Sequence, residues 1–258
     1  MNPPVVPDSL IRSLREAQHV VVLTGAGISA ESGIPTFRDA QTGLWAQYDP
    51  EELATPRAFR RNPQLVWEWY RWRRSLVQKA SPNAAHRALV QMEQNAPRLT
   101  VVTQNVDGLH QQAGSSKVLE LHGNIMRARC SAEDKIVASP ERDGSGDELP
   151  HCPNCGALLR PDVVWFGEPL PTEALNAATA AIGTCDLLLC VGTSGLVHPA
   201  ASLPLLALER GAITAEINPQ KTPLSQWMDY ELRAPAGAVL PPLVARTWPD
   251  LAKGEPRP

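Results

Sequence analysis

The sequence lacks any apolar run able to span a bilayer. Its longer apolar stretches, such as residues 187–191 (LLLCV), fall far short of the roughly 20 residues a membrane helix needs. It also lacks a balanced cysteine framework. Five cysteines is an odd count without regular spacing, which argues against a disulfide-built secreted domain and for a reducing compartment. The segment Met1-Asn2-Pro3-Pro4 shows no basic stretch followed by an apolar run, so no leader is read there and a cytoplasmic location is expected. Basic excess is missing too: the net charge is -3, so neither nucleic acid nor a membrane surface is an expected partner. No internal repeat or low-complexity segment is apparent.

What is present is an ordinary globular composition, 43% apolar and 20% charged, which excludes disorder for most of the chain. At 258 residues the chain holds one large α/β domain or two small ones. Proline is abundant at 25 residues and acts as punctuation between elements. Residues 19–23 (HVVVL), 99–103 (LTVVT), 118–121, 186–191 and 212–217 read as buried strands. Helices are expected over 10–17 (capped by Asp8-Ser9), 62–79 (Asn62 as cap, Pro63 in the first turn), 83–95, 172–182 and 199–210, with 241–246 part of a last helix. Apolar strands alternating with amphipathic helices predict a doubly wound parallel sheet. Two stretches, 38–85 and 127–160, break that rhythm and read as insertions without a core strand.

Gly25-Ala26-Gly27-Ile28-Ser29-Ala30 fits the G-x-G-x-x-G/A dinucleotide fingerprint, directly after a strand and opening a helix. Glycines there permit a tight turn and close approach of a pyrophosphate, which rests on helix N-terminal amides. A dehydrogenase needs a second core strand ending in an acid about 20 residues on. The acids available, Asp49, Glu51 and Glu52, lie in strandless, proline-flanked sequence, which counts against one.

Further segments follow in order: Gly33-Ile34-Pro35, Phe37-Arg38-Asp39, Thr103-Gln104-Asn105-Val106-Asp107, Leu121-His122-Gly123-Asn124, Val164-Trp165-Phe166-Gly167-Glu168 and Gly192-Thr193-Ser194. With the glycine loop they resemble the sirtuins, NAD-dependent protein lysine deacylases, over residues 18 to 245. The resemblance implies a Rossmann-type NAD-binding domain (1–37, 86–126 and 161–258, with frayed ends) and a small domain (38–85 and 127–160) made of a helical module and a zinc ribbon. It implies that Gly25, Ala26, Gly27, Ser29, Phe37, Arg38 and Gln104 line the NAD+ site. Asn105 and Asp107 would read the nicotinamide carboxamide, and Gly192, Thr193, Ser194, Asn218 and Ala236 the adenosine half. His122 would be the general base, taking a ribose hydroxyl proton after the acyl oxygen has displaced nicotinamide. An imidazole suits that task because its ordinary pKa lies near operating pH. The other five histidines carry no such context and are expected to be structural. Val164, Trp165, Phe166, Gly167 and Glu168 would form an edge for an acyl-lysine peptide added as a strand; Trp165 and Phe166 also fit plain packing.

Tyr70 and Arg73 are three apart on the expected 62–79 helix and project from one face. A phenol with a guanidinium fork can bind a carboxylate in an apolar tunnel. Within sirtuins this Tyr-x-x-Arg marks the branch that removes succinyl, malonyl or glutaryl groups, and Ala54 matches the small residue that leaves room for them. An aromatic core helix with arginine tails at the surface fits the same letters. Cys152-Pro153-Asn154-Cys155 is a zinc half-site, and Cys130 supplies a third thiolate, but Glu133 stands where the family has its fourth cysteine. Glu133, Asp134, His151 or water completes the shell, or the structural Zn2+ is weak. Cys185 and Cys190 read as buried apolar residues.

The sequence thus predicts a monomeric deacylase favouring acidic acyl groups, with deacetylation secondary and 2′-O-acyl-ADP-ribose as a product. Rival readings are a mono-ADP-ribosyltransferase on the same scaffold and a weakly catalytic NAD-binding interaction module.

Overall fold

A computed structural model describes residues 5–35, 49–137 and 148–250. Among them, six strands form one wholly parallel sheet: β1 (Val20–Thr24), β2 (Leu99–Thr103), β3 (Val118–Glu120), β7 (Leu187–Val191), β8 (Ile213–Ile217) and β9 (Tyr230–Leu232). Their order is β3-β2-β1-β7-β8-β9. The chain leaves β1 toward β2 on one side, and β7 lies on the other. The order therefore reverses between β1 and β7, the place where doubly wound sheets bind ligands.

Alternation of side chains explains the two helical layers. Val20, Val22, Val101, Leu187, Leu189 and Val191 point into one core, shared with α1 (Asp8–Glu16), α5 (Ala84–Asn95) and α9 (Ala236–Thr247). Val21, Leu23, Val102, Leu188 and Cys190 point into the other, covered by α7 (Thr172–Ile182) and α8 (Leu203–Glu209). Buried on both faces, these strands must be continuously apolar, which is why they read so plainly as sequence.

A third core belongs to the smaller unit. Helices α2 (Pro50–Leu53), α3 (Pro56–Arg61) and α4 (Pro63–Lys79) pack Leu53, Phe59, Val66, Trp67, Trp69 and Tyr70 against a three-stranded antiparallel sheet. That sheet comprises β4 (Gly123–Cys130), β5 (Ile136–Val137) and β6 (Leu159–Val163), in the order β5-β4-β6. Asn62 caps α4 by accepting the Leu65 amide, and Trp67 Nε1 donates to the Leu159 carbonyl at 2.9 Å.

Several expectations need correction. The stretch 127–160 does carry core strands: β4 and β6 escaped notice because Arg127 and Arg129 alternate along β4 and β6 contains Pro161 and Asp162. These polar residues sit in the sheet because they pair with one another. Helix α1 starts at Asp8, inside the expected cap, and its N-cap residue is Pro7 without a side-chain bond. The 199–210 helix is split into a 3-10 turn (Ala200–Ser202) and α8. Strands β4 and β6 also run across the boundaries drawn at 126/127 and 160/161. The short helix α6 (Leu109–Ala113) and β9 were not anticipated.

Candidate functional site

Most of the NAD-site residues expected from the sequence lie just beyond a C-terminal strand end in the large sheet. Gly25 follows β1, Gln104 follows β2, Gly192 follows β7 and Asn218 follows β8. Parallel register puts Thr24 level with both Thr103 and Val191, so these loops open on one rim. At the switch point the Gly27 amide donates to the Gly192 carbonyl at 2.9 Å. A Cβ on Gly27 would stand 2.7 Å from Gly192 Cα, inside any tolerable contact. Glycine is therefore required here for chain-to-chain packing.

That finding corrects the reading of the fingerprint. The loop opens no regular helix, only the 3-10 turns Ala26–Ile28 and Ala30–Ser32. The amides of Gly25, Gly27, Ile28 and Ser29 are committed to backbone carbonyls. These four amides are engaged within the loop or with Val191 and Gly192.

Beneath the loop lies a buried polar cluster. Ser29 Oγ donates to Asp107 Oδ2 at 2.7 Å, and Asn105 Nδ2 donates to Ser29 Oγ and to the Gly25 carbonyl, each at 3.1 Å. The Leu109 amide holds Asp107 Oδ1 at 2.9 Å. Burial pushes the Asp107 carboxyl up, against the donors from Leu109 and Ser29. An amide beside a carboxylate is a complementary reader for a carboxamide, because one offers donors and acceptors and the other accepts.

Gln104 ties this cluster to two neighbours. Its Nε2 donates to Thr193 Oγ1 at 2.9 Å, and its carbonyl lies 2.8 Å from His122 Nδ1. A carbonyl only accepts, so Nδ1 carries the proton and the neutral ring keeps its lone pair on Nε2, as a base requires. Burial lowers the His122 pKa from its ordinary 6.5, the bond to Gln104 opposing it. Asn218 Nδ2 donates to the Thr193 carbonyl at 2.8 Å, and Ala236 opens α9. Phe37 and Arg38 lie outside the described residues.

The expected peptide edge separates into two parts. Phe166 and Gly167 are on the surface, and Leu196 and Val197 are exposed large apolar residues. Trp165 instead is buried, with its ring 5.3 Å from that of Phe59 and Nε1 donating to Tyr70 Oη at 2.9 Å. Glu168 forms a fork with Arg160 and accepts the Trp165 amide, latching the loop rather than facing outward alone. The Phe166 amide donates to the Ala54 carbonyl at 2.9 Å, so Ala54 sits directly behind this edge.

Helix α4 supplies both the core and the candidate acyl reader. Trp67, Trp69 and Tyr70 are fully buried, and Arg74 is spent on the carbonyls of Ile125 and Arg127. The Arg73 guanidinium lies 4.9 Å over the Trp69 ring and 5.7 Å over the Tyr70 ring. Burial lowers its pKa, while Tyr70 and Asp107 pull it back up. Arg73 therefore stands within electrostatic reach of the buried Asp107 cluster. Burial raises the Tyr70 pKa, so the phenol remains a neutral donor.

In the small unit Cys130, Cys152, Cys155 and Glu133 place one ligand atom each within 4.8 Å of one another. Cys130 and Cys155 sulfurs are 3.4 Å apart, near the roughly 3.8 Å that tetrahedral zinc with 2.3 Å Zn–S bonds would impose. The Glu133 amide points at Cys130 Sγ, and that bond lowers the Cys130 pKa, favouring the thiolate. This donor set fits zinc. Of the expected fourth ligands, Glu133 is brought to the sulfurs. Asp134 pairs with Arg129 at 2.7 Å, and His151 bridges to Leu158 in the backbone.

One residue the sequence gave no reason to notice is Glu31. Its carboxylate accepts the Gly237 amide in the first turn of α9 at 2.7 Å, fastening the glycine loop to a helix 206 residues away. No local signal marks a cap whose partner is so distant. His86 and His110, expected to be structural, form a buried pair with ring centroids 4.9 Å apart.

A family model described as the Sir2 family matches residues 25–199. An NAD-dependent protein deacylase of Methylococcus capsulatus is 50% identical over 244 residues, covering 92% of this chain and 95% of that protein. NAD-dependent protein deacylase 1 of Pseudomonas aeruginosa is 51% identical over 247 residues, covering 93% and 99%. A solved Sir2 homologue in complex with NAD superimposes with a TM-score of 0.89 at 45% identity, covering 97% of each chain. A Sir2 structure with a p53 peptide and NAD+ gives 0.81 at 31% identity, covering 97% of this chain and 99% of that one.

Proposed function

This chain belongs to the Sir2 family and is an NAD-dependent protein deacylase, and from that premise we propose that it prefers acyl-lysine substrates ending in a carboxylate. Succinyl, malonyl and glutaryl groups share that feature. The observation that carries the reading is Arg73, whose guanidinium is flanked by Trp69 and Tyr70 and feels the charge of Asp107. A carboxylate seated there would meet a half-buried cation and a buried phenol, where water screens less than at the open surface.

The geometry supports the following roles. Asn105 and Asp107 hold the carboxamide of NAD+, which supplies the ribose carbon that accepts the acyl oxygen. His122, with Nε2 unprotonated, takes a ribose hydroxyl proton. With the Val164 and Phe166 amides engaged by His122 and Ala54, the carbonyls of Val164 and Phe166 and the backbone of Gly167 pair with the substrate peptide, with Ala54 leaving space behind it. Cys130, Cys152, Cys155 and Glu133 would hold a structural zinc that orders the small sheet and takes no part in the reaction.

The test is mass spectrometry of one peptide bearing acetyl-, succinyl-, malonyl- or glutaryl-lysine, incubated with NAD+ and either wild type, Arg73→Met or His122→Ala. Loss of a charge-assisted bond of about 1.5–3 kcal/mol should lower kcat/KM for the acidic acyl groups by roughly 10- to 100-fold in Arg73→Met. Deacetylation should be spared. Equal loss of both activities would refute an acyl-reading role for Arg73. Nicotinamide release independent of acyl-peptide would instead favour ADP-ribosyl transfer.

A further inference from the structure

An ion network joins the two sheets beside the turn that carries His122. Glu120, the last residue of β3, takes Arg127 Nη2 at 2.7 Å. The same guanidinium gives its Nε to Asp162 of β6 at 2.8 Å. One side chain of β4 thus reaches from the large sheet to the small one. Asp162 is only 2% exposed and also holds Arg129, at 2.9 Å through Nη2.

The turn between the two carboxylates leaves little freedom to its backbone. Gly123 has a φ of +79°, and a Cβ there would stand 2.2 Å from the Asp162 carbonyl oxygen. The Val164 amide holds the His122 carbonyl at 3.0 Å. His122 is therefore gripped by the large sheet through Gln104 and by the small sheet through Val164. Its orientation depends on the angle between them.

A cavity of about 390 Å³ opens at the joint, lined among others by Asp107, Gly108, Gln111, Asn124, Glu120 and Arg127. The Arg127 bridge borders this space. We propose that Arg127, held between Glu120 and Asp162, is a positioning residue for deacylation: it sets the angle between the sheets and so the seat of the His122 imidazole.

A guanidinium suits this role because its fork meets two carboxylates in fixed, separate directions, whereas an ammonium is a single point. The reading rests on His122 as the base. Burial lowers the pKa of the ring and the Gln104 carbonyl opposes it. Loosening the joint admits water to the ring, and its pKa then rises toward 6.5.

The experiment is the pH profile of kcat/KM for wild type, Arg127→Met, Glu120→Gln, Arg127→Lys and His122→Ala, with folded fraction measured on each. Arg127→Met and Glu120→Gln should each lower kcat about tenfold while KM for NAD+ stays within about twofold, as misplacement of a reacting group does. In both, the acid limb should move up, and Arg127→Lys should lie between them and wild type. A direct charge effect would move the limb in opposite directions, since one variant removes a cation and the other an anion. Opposite shifts, an unmoved limb, or a rate loss equal to the loss of folded protein each overturn the proposal. Should Arg127→Met fail to fold, Glu120→Gln and Arg127→Lys carry the same comparison. An acid limb that persists in His122→Ala would overturn the general-base reading itself, separately from the hinge.

Discussion

Acidification should destabilise this protein through a buried histidine pair, by an amount the hydrogen bonds allow to be worked out. His86 Nδ1 accepts the Asn83 amide, so its proton is on Nε2, which has no partner. Thr24 Oγ1 donates to Thr103 Oγ1, so at 3.0 Å it can only accept from His110 Nε2. That leaves the lone pair of His110 Nδ1 unmet. Each ring is thus held neutral, and a proton added to either enters a site without a carboxylate. Burial lowers the His86 pKa to about 4 and that of His110 to about 3, the neighbouring ring adding to the second.

Both values are depressed below the unfolded 6.5, so the unfolded chain binds the extra protons. The linked stability is complete above pH 6.5 and is lost as pH falls from there toward the folded values. At 1.36 kcal/mol per pH unit, each ring forfeits about 2 kcal/mol by pH 5, a large part of a total of roughly 5–15. The assay is urea unfolding at half-unit steps from pH 7.5 to 5, for wild type and His110→Gln. Contributions shared by the two proteins, including any from the cysteine cluster, cancel in the difference. With an m-value of about 3 kcal/mol/M, the variant's midpoint should fall by about 0.7 M less than wild type across this range. Parallel curves would refute the account.

Other expectations follow from single contacts. Gly27→Ala forces a methyl to within 2.7 Å of Gly192 Cα, so it should cost about 1–3 kcal/mol, lower the Tm by several degrees and weaken NAD+ binding. Glu133→Cys completes a four-thiolate set, and competition with a chromophoric chelator should show tighter zinc binding than wild type; equal affinity would remove Glu133 from the site. Because His122 is depressed from 6.5 by burial, the acid limb of kcat/KM in wild type should have its midpoint below pH 6.5, and a midpoint above it would contradict the buried, neutral ring. Glu31→Gln keeps an acceptor for the Gly237 amide and should be nearly silent in thermal melts, whereas Glu31→Ala should lose about 1 kcal/mol.

The large sheet was legible because burial on both faces forces unbroken apolar runs such as residues 19–23 and 187–191. The helix caps Asn62 and Asn83 were legible because capping is local, settled within three residues. The small sheet was not. Its strands carry Arg127 and Arg129 around the buried Asp162, a set that makes sense only once the three are seen together. Nor could the letters say that Trp165 is core while its neighbour Phe166 is exposed, since that depends on where α4 lies.

The sequence by itself determined the fold class and the family. Periodicity, turn glycines and motif order are properties of neighbours along the chain. Tertiary structure decided which of the candidate fourth ligands reaches the cysteines, which way the His122 proton points, and that Gly25 and Gly27 give their amides to Val191 and Gly192 at the end of a neighbouring strand. Each of these turns on an approach of a few ångströms between segments far apart in the chain, and no local pattern encodes such a distance.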